Sequence, residues 1–194
     1  MKTLKSLLFL FACIGLLISC SKSDEVLLVE DLQESALKGA NVDPLMVTVP
    51  FKADFSVWDI SDYSDPSCGG YPVFLLTMDG YGHISHLGKM TTRMTFCCDV
   101  TTGYYYNTVG SFMAANGDSL CFVVPEGQIY PNEGDNSEYY QTYFNDPIIF
   151  TGGSGRFEGA EGMAYSNAFV HNGTDEWRTD FFSTGSLTLV KGKR

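Results

Sequence analysis

From Val47 to Val57 apolar and polar side chains alternate: Val47, Val49, Phe51, Ala53, Phe55 and Val57 fall on one face, with Thr48, Lys52, Asp54 and Ser56 opposite. Side chains that repeat every second residue share one face of a β-strand and no face of a helix. The stretch is therefore a long strand with one buried face. The same period returns over Phe74 to Met78, and over Met90, Met94, Phe96 and Cys98 set against Thr91, Arg93, Thr95 and Cys97. A hairpin is expected over Ser111 to Val124, where Asn116-Gly117 supplies the two positive-φ residues of a type I′ turn. Its second arm, Leu120 to Val124, is apolar on both faces, which marks a strand covered on both sides. Further strands are expected at Pro147 to Thr151, Met163 to Val170, Trp177 to Phe182 and Ser186 to Val190, each bounded by Gly, Asn or Asp.

No segment after residue 45 carries a helical period. Roughly eight short strands with turn signals between them predict an all-β domain, an antiparallel barrel or a sandwich. Closure into a barrel is preferred because it leaves no unpaired edge.

Upstream the chain reads differently. Lys2 and Lys5 precede an apolar run from Ser6 to Ile18, followed by Ser19-Cys20. That layout is an export signal. At 1.5 Å per residue the run spans roughly 20 Å, too short for the ~30 Å hydrocarbon core of a bilayer. The ending resembles a bacterial lipoprotein signal, which implies cleavage after residue 19, attachment of diacylglycerol and palmitate-type chains to Cys20, and anchoring in the cell outer membrane. Two or three acyl chains hold a protein durably where one does not. Residues 1–19 are thus expected to be a cleaved signal, 20–44 a lipidated tether with one short helix over Leu28 to Leu37, and 45–194 the barrel. The periplasmic and surface faces stay open as alternatives.

Removing Lys2 and Lys5 from 12 basic side chains leaves 10 against 23 acidic ones, a formal net charge of −13. Nucleic acid, which is held by Lys and Arg contacts to phosphate, is not an expected partner. Of the six cysteines, Cys13 leaves with the signal and Cys20 takes lipid. Cys68 is expected to pair with Cys97 or Cys98, which point to opposite faces of a strand and so do not pair with each other. No Cys-x2-Cys spacing suggests zinc, and no cofactor is implied.

Two stretches hold candidate chemistry. In Gly82-His83-Ile84-Ser85-His86-Leu87-Gly88-Lys89, two histidines three apart face opposite ways on a strand. One imidazole is expected inside and one in solvent, and a lumen-facing His83 would titrate near neutrality as an acid or base. Thr151-Gly152-Gly153-Ser154-Gly155-Arg156-Phe157-Glu158-Gly159-Ala160-Glu161-Gly162 lacks the Lys and helix of a phosphate loop. It reads as a glycine turn followed by a strand that Gly159 and Gly162 allow to curve sharply, with Phe157 and Ala160 packed and Arg156 and Glu158 side by side. Arg156 and Glu158 are also candidates for lumen groups.

The segments GHISHLGK (82–89), AANGDSL (114–120) and TGGSGRFEGAEG (151–162) together resemble uncharacterised bacterial lipoproteins, of Bacteroidota type, with an allene oxide cyclase or dirigent barrel. The resemblance spans residues 47 to 190. It implies an eight-stranded antiparallel barrel, often assembled as a trimer, and carries over no catalytic residue, since fold likeness does not license an activity.

Residues 128 to 147 read as a long loop bearing Tyr130, Tyr139, Tyr140 and Tyr143 among acids without calcium-loop spacing. With Tyr104, Tyr105 and Tyr106 in a second expected loop, they would build an aromatic rim for a sugar or a flat apolar ligand. Asp118-Ser119-Leu120 resembles a short O-glycosylation acceptor. Three roles follow for the barrel. The first is binding of a small apolar or aromatic ligand, or a glycan, through His83, Arg156, Glu158, Tyr104, Tyr139 and Tyr140. The second is an isomerase or cyclase using His83 or Glu158, and the third a structural envelope protein with a filled lumen.

Overall fold

The computed structural model describes residues 45–173 and 177–192; the signal, Cys20 and the whole of the tether, with the short helix expected over Leu28 to Leu37, lie outside the described residues. The strands are β1 (Met46–Asp59), β2 (Val73–Ile84), β3 (Gly88–Asp99), β4 (Tyr104–Ala114), β5 (Ser119–Gln128), β6 (Tyr130–Pro131), β7 (Thr142–Phe144), β8 (Pro147–Gly153), β9 (Glu161–Tyr165), β10 (Ala168–Asn172) and β11 (Trp177–Val190). β1, β2, β3, β4, β5, β8, β9 and β11 pair in that order, and β11 returns to β1 from Met46↔Val190 through Trp58↔Arg178. The result is a closed eight-stranded antiparallel barrel. β10, β7 and β6 add to its wall at one end, β10 against the first half of β11, β7 against β10 and β6 against β7. All strands that close the barrel, and the side chains that fill it, fall within residues 45–192, so the unit carries the contacts its fold requires.

The alternating face of β1 points inward: Phe51, Ala53, Phe55 and Val57 are buried. Several expectations need revision. Trp177 to Val190 is one strand, because Gly185 is a close-approach position rather than a turn: a Cβ there would stand 2.1 Å from the Met163 carbonyl oxygen. Met163 to Val170 is broken at Ser166-Asn167, where Asn167 takes a φ of 39°. The β4–β5 connection is not type I′. Gly117 alone has positive φ (89°), and Gly117 N donates to Ala114 O at 3.0 Å, a type I turn followed by a left-handed glycine. Tyr104 to Tyr106 lie on β4 rather than in a loop, and part of 128–147 is β6 and β7.

One end of the barrel is packed shut. A 3₁₀ turn, Gly155–Phe157, folds across it and drives Phe157 into full burial with Ile84, Phe112, Leu120 and Leu187. Each such side chain contributes about 1.5–3 kcal/mol by leaving water. At the other end the wall between β5 and β8 is incomplete. Their pairing stops at Val123↔Ile149, and the walls meet again only at Tyr130↔Tyr143 of β6 and β7.

Candidate functional site

The lumen of that second end holds a cavity of about 100 Å³. Its floor is aromatic. Phe55 lies parallel to Phe181 with centroids 4.5 Å apart, Phe122 stacks on Phe112 at 4.6 Å, and Phe112 meets Phe55 edge-on at 5.3 Å. Leu76, Met78 and Met94 line one side, and Val124, Ile129, Phe144 and Ile148 line the other, beside the gap in the wall. Alternation dictates most of this lining: Phe55 and Val57 of β1, Leu76 and Met78 of β2, Met94 and Phe96 of β3, and Phe122 and Val124 of β5 are alternate residues of their strands, while β11 contributes Thr179 as well as Phe181. Gly110 makes room for Phe122, because a Cβ there would stand 2.4 Å from the Phe122 Cζ.

Few polar groups reach the lumen. Tyr105, 5% exposed, donates its hydroxyl hydrogen to Asp146 Oδ2 at 2.7 Å, which ties β4 to the segment between β7 and β8. Gly127 permits this crossing, since a Cβ there would lie 2.3 Å from the Tyr105 ring. Burial first, and Asp146 second, push the Tyr105 hydroxyl far above its usual 10, so it stays protonated. Ser166 Oγ accepts from the Asp146 backbone N–H at 2.8 Å. Asp59 at the mouth accepts from Ser61 N at 2.8 Å and from the hydroxyls of Ser61 and Tyr63. Burial and Asp59 raise the Tyr63 hydroxyl to about 12. Thr108, 4% exposed, is a lining residue of the lumen, and its buried Oγ1 has no hydrogen-bond partner among the described residues. No Lys, Arg or His side chain among the described residues lines the cavity.

None of the six side chains expected to bind ligand lines this cavity. His83 pairs with Asp54 on the outer face, because its neighbour Ile84, wholly buried, takes the inward position. The expectation of a lumen-facing histidine is corrected accordingly. His86 is exposed too, in the β2–β3 turn with φ 69°, its Nε2 3.0 Å from the Pro50 carbonyl oxygen. Arg156 and Glu158 sit at the shut end, outside the lumen, because the 3₁₀ turn gives the inward place to Phe157. Arg156 Nε lies 3.7 Å from Asp118 Oδ2 and its guanidinium covers the Phe157 ring.

Tyr104, Tyr139 and Tyr140 are at the open end but on the outer wall. Tyr104 donates to Glu126 Oε2 at 2.7 Å and stacks beside Tyr106. Tyr140 donates to Asp180 Oδ2 at 2.7 Å, joined there by Ser56 Oγ on Oδ1 at 2.5 Å and Arg178 Nε on Oδ2 at 3.1 Å. Tyr139 stacks on His171 at 4.1 Å and accepts from Arg178 Nη2 at 2.9 Å. These contacts clamp the segment before β7 against β10 and β11 and form no rim around the mouth. Tyr105, between two outward tyrosines, is the one of its triplet that enters the lumen.

Cys68 and Cys97 are disulfide-bonded, with Cα atoms 5.7 Å apart. Cys98 faces inward as a free buried thiol, raised to about 11 by burial and by Asp99, which keeps it protonated and unreactive at neutral pH. Ser119 is 4% exposed and bonded to Ser154 Oγ at 2.9 Å, so the folded barrel does not offer it for O-glycosylation.

Fold and cavity together define a closed antiparallel barrel with an apolar lumen open at one end. Set against known proteins, the chain matches no family model, no curated relative and no solved structure.

Proposed function

We propose that this protein is a lipoprotein of the cell outer membrane, tethered through acylated Cys20, whose barrel binds a small apolar or aromatic ligand in its lumen. The observation that carries the reading is the cavity of about 100 Å³ walled by Phe, Met, Leu, Ile and Val side chains. Dry apolar cavities of this order take up a single aromatic ring. A glycan is less well served, because its hydroxyls would meet few partners there. Catalysis through His83 or Glu158 draws no support from side chains outside the lumen, and a purely structural barrel would fill its interior.

Titration of residues 21–194 with toluene and with indole, followed by calorimetry, tests the binding. Saturable one-to-one binding is expected, and heats no larger than those of dilution would overturn it. The anchor is tested by labelled palmitate, whose incorporation is expected in the native chain and lost in Cys20→Ser. Equal labelling of both would refute acylation at Cys20.

A further inference from the structure

We infer that the lumen selects an uncharged ligand carrying one hydrogen-bonding group, and that the Thr108 hydroxyl is the protein atom that reads that group. This rests on the reading of the lumen as a binding site and adds the chemistry of what it accepts.

The backbone places Thr108 there by a specific device. On β4, Tyr105 faces the lumen and Tyr106 faces out, so simple alternation would send Asn107 inward and Thr108 outward. Instead the register with β3 slips: Cys97 opposes Tyr106 and Thr95 opposes Val109, leaving one extra residue on β4. Asn107 absorbs it with a φ of 56°, a left-handed conformation that asparagine tolerates better than most residues. The bulge reverses the phase of the strand and turns Thr108 inward. Bulges beside sites serve to re-aim a side chain.

The hydroxyl so delivered is left unsatisfied. Thr92, a buried threonine of β3, shows the ordinary solution, donating to the Ser111 carbonyl oxygen at 2.9 Å. Thr108 Oγ1 has no such partner among the described residues. Valine has the same shape without the polar atom, so packing alone does not call for threonine at this position. Two other polar side chains of the lining are committed within the wall, Tyr105 to Asp146 and Ser166 Oγ to the Asp146 backbone.

Charge narrows the class further. No basic side chain among the described residues lines the cavity, and Asp59 stands at its mouth, so an anion would lose its hydration without a counter-charge. A threonine hydroxyl both donates and accepts, so it serves an alcohol, a phenol or a carbonyl. The remainder of the ligand, one ring or a short branched chain, would rest on Phe55, Phe122 and Met94.

The test compares phenol, toluene and benzoate, which share a ring and differ in one substituent, on residues 21–194 and on Thr108→Val and Thr108→Ser. Affinities are read by calorimetry, with folding checked by circular dichroism. The phenol-to-toluene affinity ratio is expected to fall about tenfold in Thr108→Val, to be retained in Thr108→Ser, and benzoate is expected to bind no variant. A ratio unchanged within about twofold in Thr108→Val, or benzoate binding as well as phenol, overturns the inference while leaving the lumen a binding site. If Thr108→Val does not fold, a ratio in Thr108→Ser that departs from the native one overturns it, and a retained ratio together with exclusion of benzoate supports it. Failure of all three probes to bind the native barrel removes the underlying reading itself.

Discussion

Replacing Phe122 with alanine strikes the floor of the cavity and has two consequences of opposite sign. Phe122 is 3% exposed and stacks on Phe112 at 4.6 Å. Truncating such a ring costs about 3–5 kcal/mol, the larger values arising where the surroundings do not collapse into the space left. Collapse is restricted here, because Phe112 is locked against Phe55, and Phe55 against Phe181. At about 2–4 °C per kcal/mol for a domain of this size, the melting temperature is expected to drop by roughly 6–20 °C. The vacated volume also joins an existing cavity of about 100 Å³, so Phe122→Ala should hold toluene better than the native barrel does. Toluene at ten times its Kd would return about 1.4 kcal/mol through linkage. Urea denaturation followed by circular dichroism, with and without toluene, measures both effects. A loss below about 1 kcal/mol, or no recovery with toluene, would show that Phe122 does not floor an apolar cavity.

Tyr105→Phe removes the hydroxyl that reaches Asp146, and a loss of about 1–3 kcal/mol is expected, with faster amide exchange in β5 beside the wall gap; unchanged stability and exchange would refute the tie. Cys68→Ser opens a link between residues 29 apart in sequence, and the urea-derived stability is expected to fall by about 3–4 kcal/mol on the chain-entropy estimate. For Asp180, burial works to raise the carboxyl, but hydrogen bonds from Ser56, Tyr140 and Arg178 outweigh it and hold it below the usual 3.8. Its stabilisation is therefore complete above the unfolded value and lost as pH falls through the folded one. Asp180→Asn should be less stable than the native barrel at pH 7 by about 1–3 kcal/mol, a difference that narrows only below about pH 4; a gap constant down to pH 2 would contradict this.

The strands were legible because alternation survives wherever one face is wet. β1 announces itself from Val47 to Val57, and of the six residues named for its inner face Phe51, Ala53, Phe55 and Val57 are buried, while Val49 is half-buried and Val47 is exposed at the strand's start. Breaks in alternation were harder to read. Three consecutive tyrosines look like a loop, although as strand residues they point out, in and out. Gly185 looks like a turn until β9 is seen pressed against it. The candidate site was the least legible part. His83, Arg156 and Glu158 attract attention as titratable groups, yet the barrel turns its apolar residues inward and leaves such groups outside. Thr108 carries no chemical signal of its own. The one hint is Asn107, a residue suited to left-handed backbone at the end of an aromatic run, and its effect on the strand's phase depends on the register with β3.

Diffraction from crystals of the barrel held under xenon tests the central claim most directly, since xenon enters dry apolar cavities and little else. A xenon atom is expected in the lumen among Phe55, Phe122 and Met94. An unoccupied lumen, with those side chains closed upon one another, would contradict a ligand-binding interior.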